Sequence, residues 1–214
     1  MHLIVGARPN FMKMAPLYRE LSLYSEKYEP LIIHTGQHYD EKMSKLFFYD
    51  LDMPKPAAYL NVGSASHGKQ TAMIMERYED LLLAGDKPDL VIVAGDVNST
   101  IACALVAKKL YIPVAHLEAG LRSYDDRMPE EINRVLTDRI SDILLTPSLD
   151  ANKNLEKEGI EPDKIYFVGN IMIDSLIAHK EKAETSNIFS NLNMLPKESY
   201  ALVTLHRPSN VDEY

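Results

Sequence analysis

Short apolar segments, each ended by a glycine, a proline or a polar residue, recur along the whole chain. The clearest covers residues 89–94 and stops at Gly95. Similar segments cover residues 3–5, 30–33, 57–60, 112–117, 143–146 and 165–168. Between them, apolar residues recur at helical spacing, as at Met14, Leu17 and Leu21, and a helix is also expected at residues 41–51. Alternating strand, turn and helix is typical of a parallel sheet with helices on both faces and right-handed crossovers. The sequence therefore predicts an α/β fold, Rossmann-like and doubly wound.

A polar stretch interrupts this pattern near the C-terminal end. Residues 184–199 are rich in serine and asparagine, which indicates a hinge after a first domain of residues 1–183. An apolar strand-like segment follows at residues 200–205. A strand without its own sheet promotes association, so we expect this segment to be disordered or to pair with the edge of a neighbouring sheet.

The composition excludes several classes of function. A formal net charge of −8 argues against a nucleic-acid partner, which requires a basic face. No apolar run approaches the ~20 residues of a membrane span, and the N-terminal segment lacks the basic flank of a signal peptide. We therefore expect a cytoplasmic protein without a membrane partner. The lone Cys103 has no internal disulfide partner, and its apolar helical context indicates a buried structural residue.

Acidic and basic residues stand where the predicted strands end or the next helix begins. They are Arg8, Lys13, Asp96, Glu118, Glu130 and Arg134. Polar residues after parallel strands face the ligand side of an open sheet, so we expect these side chains to meet at one edge. Pro129 followed by two glutamates predicts a helix start, with the carboxylates near the positive end of the dipole. From the residues alone, Asp96 is equally a cap or turn residue.

The same strand ends raise two further interpretations. Asn98, Ser99 and Thr100 have side chains able to cap the helix that follows Asp96, and Ser148 is expected to cap a short helix that runs to Glu158. His34 and His38 are close enough in the chain to be metal ligands, but nothing else has metal-site spacing. A hydrogen-bonded or structural role is favoured for them, and no metal is expected.

Known cofactor and metal-enzyme patterns are incomplete in this sequence. Neither the glycine-rich dinucleotide fingerprint nor a Walker pattern follows the first strand, so no cofactor is indicated. Residues 95–98 resemble part of a metallophosphatase motif. The histidine-containing motifs that should accompany it are missing, and Gly169 and Asn170 continue into an apolar stretch. A metal site needs its whole ligand set, which argues against that class.

Five ordered motifs span nearly all of the chain. They are Gly6-Ala7-Arg8-Pro9-Asn10, His34-Thr35-Gly36-Gln37-His38, Gly95-Asp96-Val97-Asn98-Ser99-Thr100, His116-Leu117-Glu118-Ala119-Gly120-Leu121-Arg122-Ser123 with Met128-Pro129-Glu130-Glu131-Ile132-Asn133-Arg134, and Thr204-Leu205-His206-Arg207-Pro208-Ser209-Asn210. Together they resemble the non-hydrolysing UDP-N-acetylglucosamine 2-epimerases, which interconvert UDP-GlcNAc and UDP-ManNAc.

This resemblance implies a larger architecture than the chain itself contains. Residues 1–183 would form the first half of a two-domain GT-B-type enzyme, and residues 200–214 would begin its second, UDP-binding domain. The family also implies a homodimer. Because the second domain should hold most of the uridine, the chain alone is expected to be inactive and to bind UDP weakly.

The resemblance also implies roles for individual residues. Asp96, Glu118 and Glu130 would carry the proton transfers, and no division of acid and base among them follows from the motifs. His206 would be a further catalytic residue, in contact with a phosphate, a carboxylate or the leaving group. Substrate contacts would come from Arg8, Lys13, Gln37, His38 and Arg134. Gln37 and His38 match a loop that holds a second, regulatory UDP-GlcNAc in bacterial members, although Tyr39 and Asp40 depart from that pattern. Arg122, Glu131 and Arg207 are instead expected to be ion-paired structural residues.

The reaction itself constrains the mechanism. The hydrogen on C2 of a nucleotide sugar is not adjacent to a carbonyl, so an epimerase must either oxidise the sugar transiently or eliminate UDP. Elimination needs a carboxylate base, an acid near the leaving oxygen and cations at the diphosphate, and the sequence supplies these types. We therefore expect epimerisation through a 2-acetamidoglucal. The alternatives are a hydrolysing epimerase that releases ManNAc and UDP, or a non-catalytic fragment that binds nucleotide sugars.

Overall fold

The computed structural model describes residues 1–36, 48, 50–85, 87–193 and 199–204, without the side chain of Arg8. The chain divides into two compact units, Met1–Ile177 and Ala178–Tyr214. All strands and most helices belong to the first unit.

A parallel sheet forms the centre of the first unit. Within the described residues, seven strands lie in the order β3-β2-β1-β4-β5-β6-β7, and every neighbouring pair is parallel. They are β1 His2–Val5, β2 Leu31–His34, β3 Ala58–Tyr59, β4 Val91–Ala94, β5 Val114–Leu117, β6 Ile143–Thr146 and β7 Ile165–Phe167. The chain reverses direction across the sheet between β3 and β4, next to β1. The predicted α/β Rossmann-like fold is confirmed.

Among the described residues, five helices connect the strands and two more follow β7. They are α1 Arg8–Ser22, α2 His67–Ala84, α3 Asn98–Lys109, α4 Pro129–Ile140, α5 Leu149–Lys157, α6 Ile171–Glu184 and α7 Ile188–Asn191, with a 3₁₀ turn at Pro162–Lys164. Among these described helices, none is long and apolar enough to cross a membrane. A helix also predicted for residues 41–51 falls largely outside the described residues.

The central strands are buried on both faces. On one face, Ile4, Val93 and Val114 pack with α2 and α3. On the other face, Leu3, Val5 and their neighbours pack with Phe11 and Met14 of α1. This two-sided burial explains why residues 91–94 are continuously apolar instead of alternating with polar residues. The ends of β1, β4 and β5 therefore lie on a packed apolar core.

The caps of two helices differ from each other and, in one case, from expectation. Ser148 accepts a hydrogen bond from the Ala151 backbone N–H at 3.2 Å, so its predicted capping role is confirmed. At α3 the cap is Val97, without a side-chain hydrogen bond, so the capping predicted for Asn98, Ser99 or Thr100 is wrong. These three residues are instead buried in the first helical turn.

The segment after the first unit departs from the predicted strand. Residues 199–204 form neither strand nor helix, and Tyr200, Leu202 and Val203 are exposed. The strand predicted for 200–205 is therefore wrong over its described part. The predicted hinge is also more helical than expected, because α6 extends to Glu184 and α7 lies within it. The division into domains at 183 and 199 stays a prediction.

Candidate functional site

Two left-handed turns follow the central strands at the carboxyl edge of the sheet. Gly95 follows β4 with φ +67°, and Glu118 follows β5 with φ +72°. Glycine adopts this conformation freely, whereas a residue with a side chain pays roughly 1–2 kcal/mol for it. Such strain at a non-glycine residue tends to occur at functional sites. The turn thus places a carboxylate at the sheet edge at an energetic cost.

Lys13 of α1 reaches the same point. Its ammonium group, almost fully buried, forms a short ion pair with the Glu118 carboxylate. A Cβ atom on Gly95 would lie 2.8 Å from Lys13 Nζ and 3.3 Å from Glu118 Oε2. The absence of a side chain at Gly95 therefore leaves the space in which Lys13 and Glu118 meet.

Asp96, the next residue, is held by helix α4. Arg134 forms a short ion pair with the Asp96 carboxylate, and its Nη1 donates to Glu131 Oε2 at 2.9 Å. Asn133 Nδ2 donates to the Asp96 backbone carbonyl at 2.8 Å. The Asp96 side chain is still 30 % exposed. It is oriented by α4 yet remains accessible to a ligand.

Glu131 holds the loop that precedes α4. Its carboxylate accepts from the backbone N–H groups of Ser123 and Tyr124 at 3.0 and 2.9 Å, and from Ser123 Oγ at 2.9 Å. Burial favours a raised pKa for Glu131, but these donors and Arg134 outweigh it, so the pKa is lowered. The ion-paired structural role predicted for Glu131 is confirmed.

Glu130 contrasts with its neighbour. It lies in the first turn of α4, is half-buried, and precedes Arg134 by four residues, which places both on one helix face. Among the described residues, no side chain donates a hydrogen bond to its carboxylate. Glu130 is thus available for a ligand, as Asp96 is, but without a side-chain donor among the described residues.

A buried network behind these residues was not predicted from the sequence. His116 Nδ1 lies 2.6 Å from Asp138 Oδ1, and His116 Nε2 lies 2.7 Å from the Gly95 carbonyl oxygen. Arg122 donates to Asp138 Oδ2 at 2.7 Å and pairs with Glu158. The ion-paired role expected for Arg122 is confirmed. Two signals were available: His116 interrupts an otherwise apolar strand, and Asp138 follows Arg134 by one helical turn.

The charges in this network are strongly coupled. Burial favours a raised pKa for Asp138, but His116 and Arg122 outweigh it, so the pKa of this carboxyl is lowered. Asp138 Oδ2 also accepts from the Gly120 backbone N–H at 3.0 Å. The carboxylate is therefore ionised at neutral pH and satisfied on both oxygens.

Other residues singled out in the sequence lie in ordinary core positions or outside the described residues. His34 is buried and stacks on Phe11, with ring centroids 5.4 Å apart. Cys103 is fully buried, and burial raises the pKa of its thiol well above the usual range. Gln37, His38 and His206 lie outside the described residues, and Arg8 begins α1 with its side chain undescribed.

The structure therefore brings together four of the predicted site residues. Lys13, Asp96, Glu118 and Arg134 surround the ends of β4 and β5, and Glu130 shares a helix face with Arg134. In the part of the chain that is described, no group of three histidine, cysteine or acidic side chains is arranged to hold a metal ion. The site presents alternating carboxylates and cations at the crevice where nucleotide ligands bind in open α/β sheets.

Comparison with known proteins identifies relatives of the whole chain. The family model for UDP-N-acetylglucosamine 2-epimerase matches residues 22–214. A Methanococcus maripaludis UDP-N-acetylglucosamine 2-epimerase homolog is 52 % identical over 98 % of this chain and 57 % of its own length. A Pseudomonas aeruginosa UDP-2,3-diacetamido-2,3-dideoxy-D-glucuronate 2-epimerase is 43 % identical over 98 % of this chain and 58 % of its own length.

A solved structure gives the same result in three dimensions. The Methanocaldococcus jannaschii UDP-GlcNAc 2-epimerase, crystallised with UDP-GlcNAc and UDP, matches with a TM-score of 0.91 at 47 % identity. The match covers 99 % of this chain and 58 % of that one, so this chain spans little more than half the length of its relatives. The structural relatives are GT-B epimerases, and this protein belongs to the UDP-N-acetylglucosamine 2-epimerase family.

Proposed function

We propose that the full-length protein interconverts UDP-GlcNAc and UDP-ManNAc by elimination and re-addition of UDP, as a homodimer. The observation that carries the proposal is the convergence of Asp96, Glu118 and two cations at the ends of β4 and β5. Carboxylates transfer protons, and fixed cations stabilise negative charge on a leaving diphosphate. Both are needed at one place in this reaction.

The proposed chemistry balances without an added reactant. A carboxylate takes the C2 proton, the C1–oxygen bond breaks, and UDP leaves with the bonding electrons, so that a C1–C2 double bond forms. A proton then adds to the opposite face of C2, and the UDP oxygen re-forms the bond to C1. Asp96, Glu118 and Glu130 are the proposed proton-transfer groups, and His206 is proposed to contact the leaving group. No nicotinamide, metal or other cofactor takes part in this scheme.

The cations have different surroundings and therefore different proposed roles. Arg134 already bonds two carboxylates, so it orients Asp96 and keeps part of its guanidinium for the substrate. Lys13 bonds Glu118 and lies beside Gly95. A diphosphate oxygen there can accept a hydrogen bond from the Lys13 ammonium in place of the Glu118 carboxylate. Arg8, Gln37 and His38 complete the proposed substrate contacts.

Two acids in matching helical positions provide a controlled test. Glu130 lies in the first turn of α4 and Asp150 in the first turn of α5, where Asp150 is exposed and, within the described part of the chain, pairs with Lys153 alone. Both changes remove a favourable charge from a helix N-terminus, worth about 0.3–1 kcal/mol. In the full-length protein, Glu130→Gln should lower kcat/KM for UDP-GlcNAc at least ~100-fold, the scale of general acid–base catalysis. Asp150→Asn removes no proposed proton-transfer group, so its kcat/KM should stay within about twofold of the wild-type value.

Isotope exchange tests the mechanism separately. In D2O the full-length protein should incorporate deuterium at C2 of both nucleotide sugars, and small amounts of 2-acetamidoglucal and UDP should be detectable. Epimerisation without exchange would contradict deprotonation at C2. Product analysis distinguishes the hydrolysing alternative, since free ManNAc with stoichiometric UDP would replace UDP-ManNAc.

A second candidate substrate follows from the Pseudomonas aeruginosa relative. That protein is named for a UDP-2,3-diacetamido glucuronate, and its 43 % identity to this chain is close to that of the UDP-GlcNAc enzymes. Both substrates share the C1–UDP bond and the C2 hydrogen, so the proposed proton transfers suit either. Comparing kcat/KM for the two compounds on the full-length protein decides between them.

A further inference from the structure

The His116 ring joins the two segments that carry the proposed catalytic acids. It lies on β5 and is fully buried. One nitrogen faces the Asp138 carboxylate on α4, and the other faces the Gly95 carbonyl in the turn before Asp96, at 2.6 and 2.7 Å. Asn133 and Arg134 of α4 bond Asp96 directly, so the buried ring is a further link between this turn and α4.

Hydrogen-bond chemistry assigns both protons of this ring. A backbone carbonyl only accepts, so His116 Nε2 donates to Gly95. Asp138 accepts from Gly120 and Arg122 on its other oxygen, which favours the ionised carboxylate, so Nδ1 also donates. The ring is thus buried with an oxygen acceptor within hydrogen-bond distance of each nitrogen.

The partners of His116 extend this connection to each proposed acid. Gly95 is followed directly by Asp96, and its own N–H donates to the Leu117 carbonyl at 3.0 Å. Asp138 binds the Gly120 N–H, two residues after Glu118. Helix α4 also carries Glu130 and the arginine that pairs with Asp96. Displacing the ring would therefore change the relative positions of all three acids.

We propose that His116 is a positioning residue that, as a buried imidazolium, holds the Gly95 carbonyl at a fixed distance from Asp138 and thereby aligns Asp96 with the acids on α4 and β5. This inference rests on the proposed epimerase function for its effect on turnover. The protonated ring and its two bonds are independent of that function. The titratable groups facing it are Asp138 and, through Asp138, Arg122, with Glu158 next in the chain of ion pairs.

Two substitutions separate the two halves of the connection. In His116→Asn the amide nitrogen falls near the original Nδ1, which keeps the donor to Asp138 and removes the donor to Gly95. In His116→Gln the amide nitrogen falls near the original Nε2, which keeps the donor to Gly95 and removes the donor to Asp138. Asp142→Asn is the matched control, because Asp142 binds a backbone N–H and a lysine at the opposite end of β5.

The expected kinetic result separates positioning from substrate binding. In the full-length protein, His116→Asn should lower kcat for UDP-GlcNAc epimerisation at least tenfold with KM within about threefold, and His116→Gln should retain more of the turnover. Asp142→Asn should leave kcat within about twofold. Equal kcat in His116→Asn and the wild type, or a loss confined to KM, would overturn the proposal.

Spectroscopy tests the ring without any assay of activity. Nitrogen-15 NMR of histidine-labelled wild-type protein at pH 7.5 should show both nitrogens of His116 protonated, with resolved couplings to two ring protons. Amide exchange at Gly95 should be faster in His116→Asn than in Asp142→Asn. One unprotonated ring nitrogen would overturn the inference even if the epimerase assay succeeds. If the wild type does not epimerise either substrate, the proposed function fails. The NMR result then still tests the protonation of the His116 ring. If His116→Asn does not fold, the wild-type spectrum and His116→Gln remain decisive.

Discussion

The two ends of strand β5 are fastened by charged side chains in different ways. At the amino end, Asp142 accepts from Lys108 at 2.6 and 2.8 Å and from the Val114 N–H at 2.8 Å, with both side chains about one-third exposed. At the carboxyl end, Asp138 and His116 are both 0 % exposed. Each carboxylate joins a helix to the same strand, but water competes only at the amino end.

This difference in burial separates a structural fastening from a site that supports chemistry. Exposed ion pairs contribute about 0–1 kcal/mol, because solvent screens them. A buried carboxylate loses its hydration, so its partners must replace every lost hydrogen bond. At the carboxyl end that requirement orders two turns and a helix, and the ordered turns carry the proposed catalytic acids.

Removing one carboxylate charge at each end should give the largest difference. Asp138→Asn leaves the buried ring and the Arg122 guanidinium without their anion, and we expect a loss of roughly 3–5 kcal/mol in the free energy of unfolding. Asp142→Asn affects a partly exposed pair and should cost about 1 kcal/mol or less. Urea unfolding of both variants at pH 7 measures the two values. Equal losses would show that burial does not distinguish the two ends.

Two glycines with similar backbone angles sharpen the same comparison. Gly120, at the carboxyl end, has φ +80°, and a Cβ there would lie 2.5 Å from the Ala151 carbonyl oxygen. Gly159 follows α5 with φ +76°, and its Cβ would meet nothing within 4 Å among the described atoms. Alanine at Gly159 should cost only the left-handed strain of roughly 1–2 kcal/mol. Alanine at Gly120 should cost about 2 kcal/mol more, since the backbone of α5 must move.

Thermal unfolding of the two alanine variants gives this comparison directly. Wild-type-like stability in Gly120→Ala would mean that the backbone of α5 can move away from the added methyl group without a loss of stability. A large loss in Gly159→Ala would mean that backbone strain, and not close packing, dominates at both glycines.

The smallest expected effect is a response to pH at the amino end of β1. Burial, followed by the nearby positive N-terminus, lowers the pKa of His2 from 6.5 to about 4. The unfolded chain then binds more protons than the folded one as the pH falls from 6.5 towards 4, so stability decreases over that window. At pH 5 the loss is on the order of 1 kcal/mol, because solvent near the chain terminus screens part of the shift.

The carboxyl end should respond only at lower pH. The pKa values of Asp138 and Glu131 are lowered, so their contribution is present above the ordinary carboxyl range and is lost as the pH falls through the lowered values. His2→Gln should therefore remove most of the loss between pH 7 and 5. Denaturant titrations at both pH values test this. If the free energy of unfolding falls as much between pH 7 and 5 in His2→Gln as in the wild type, the prediction is contradicted.

The fold followed from the sequence more completely than the site did. Residues 89–94 predicted a buried strand, and the structure has β4 at Val91–Ala94. Ser148 was identified as a cap because its hydroxyl needs only a backbone N–H three residues away. Asn98 was misassigned as a cap, because its side chain bonds Gln70, 28 residues away, a contact without a local sequence signal.

The contacts that order the site are also distant in sequence. Lys13 and Glu118 are 105 residues apart, and Arg134 and Asp96 are 38 apart. Sheet topology alone places their segments at one edge, which is why the location was predictable. Which carboxylate pairs with which cation depends on side-chain packing, and it was not predictable. The same holds for His116, whose role depends on residues of two other elements.

The amino-acid sequence by itself determined the alternation of strands and helices, the edge of the sheet that holds the polar residues, and the family that the motifs resemble. These properties depend on local periodicity and on residues close together in the chain. Only the tertiary structure decided that Glu131 supports a loop while Glu130 stays available, and that a buried ring joins Gly95 to Asp138. Adjacent glutamates on one helix are chemically identical until their surroundings supply different donors, and those donors come from segments that meet only in the folded chain.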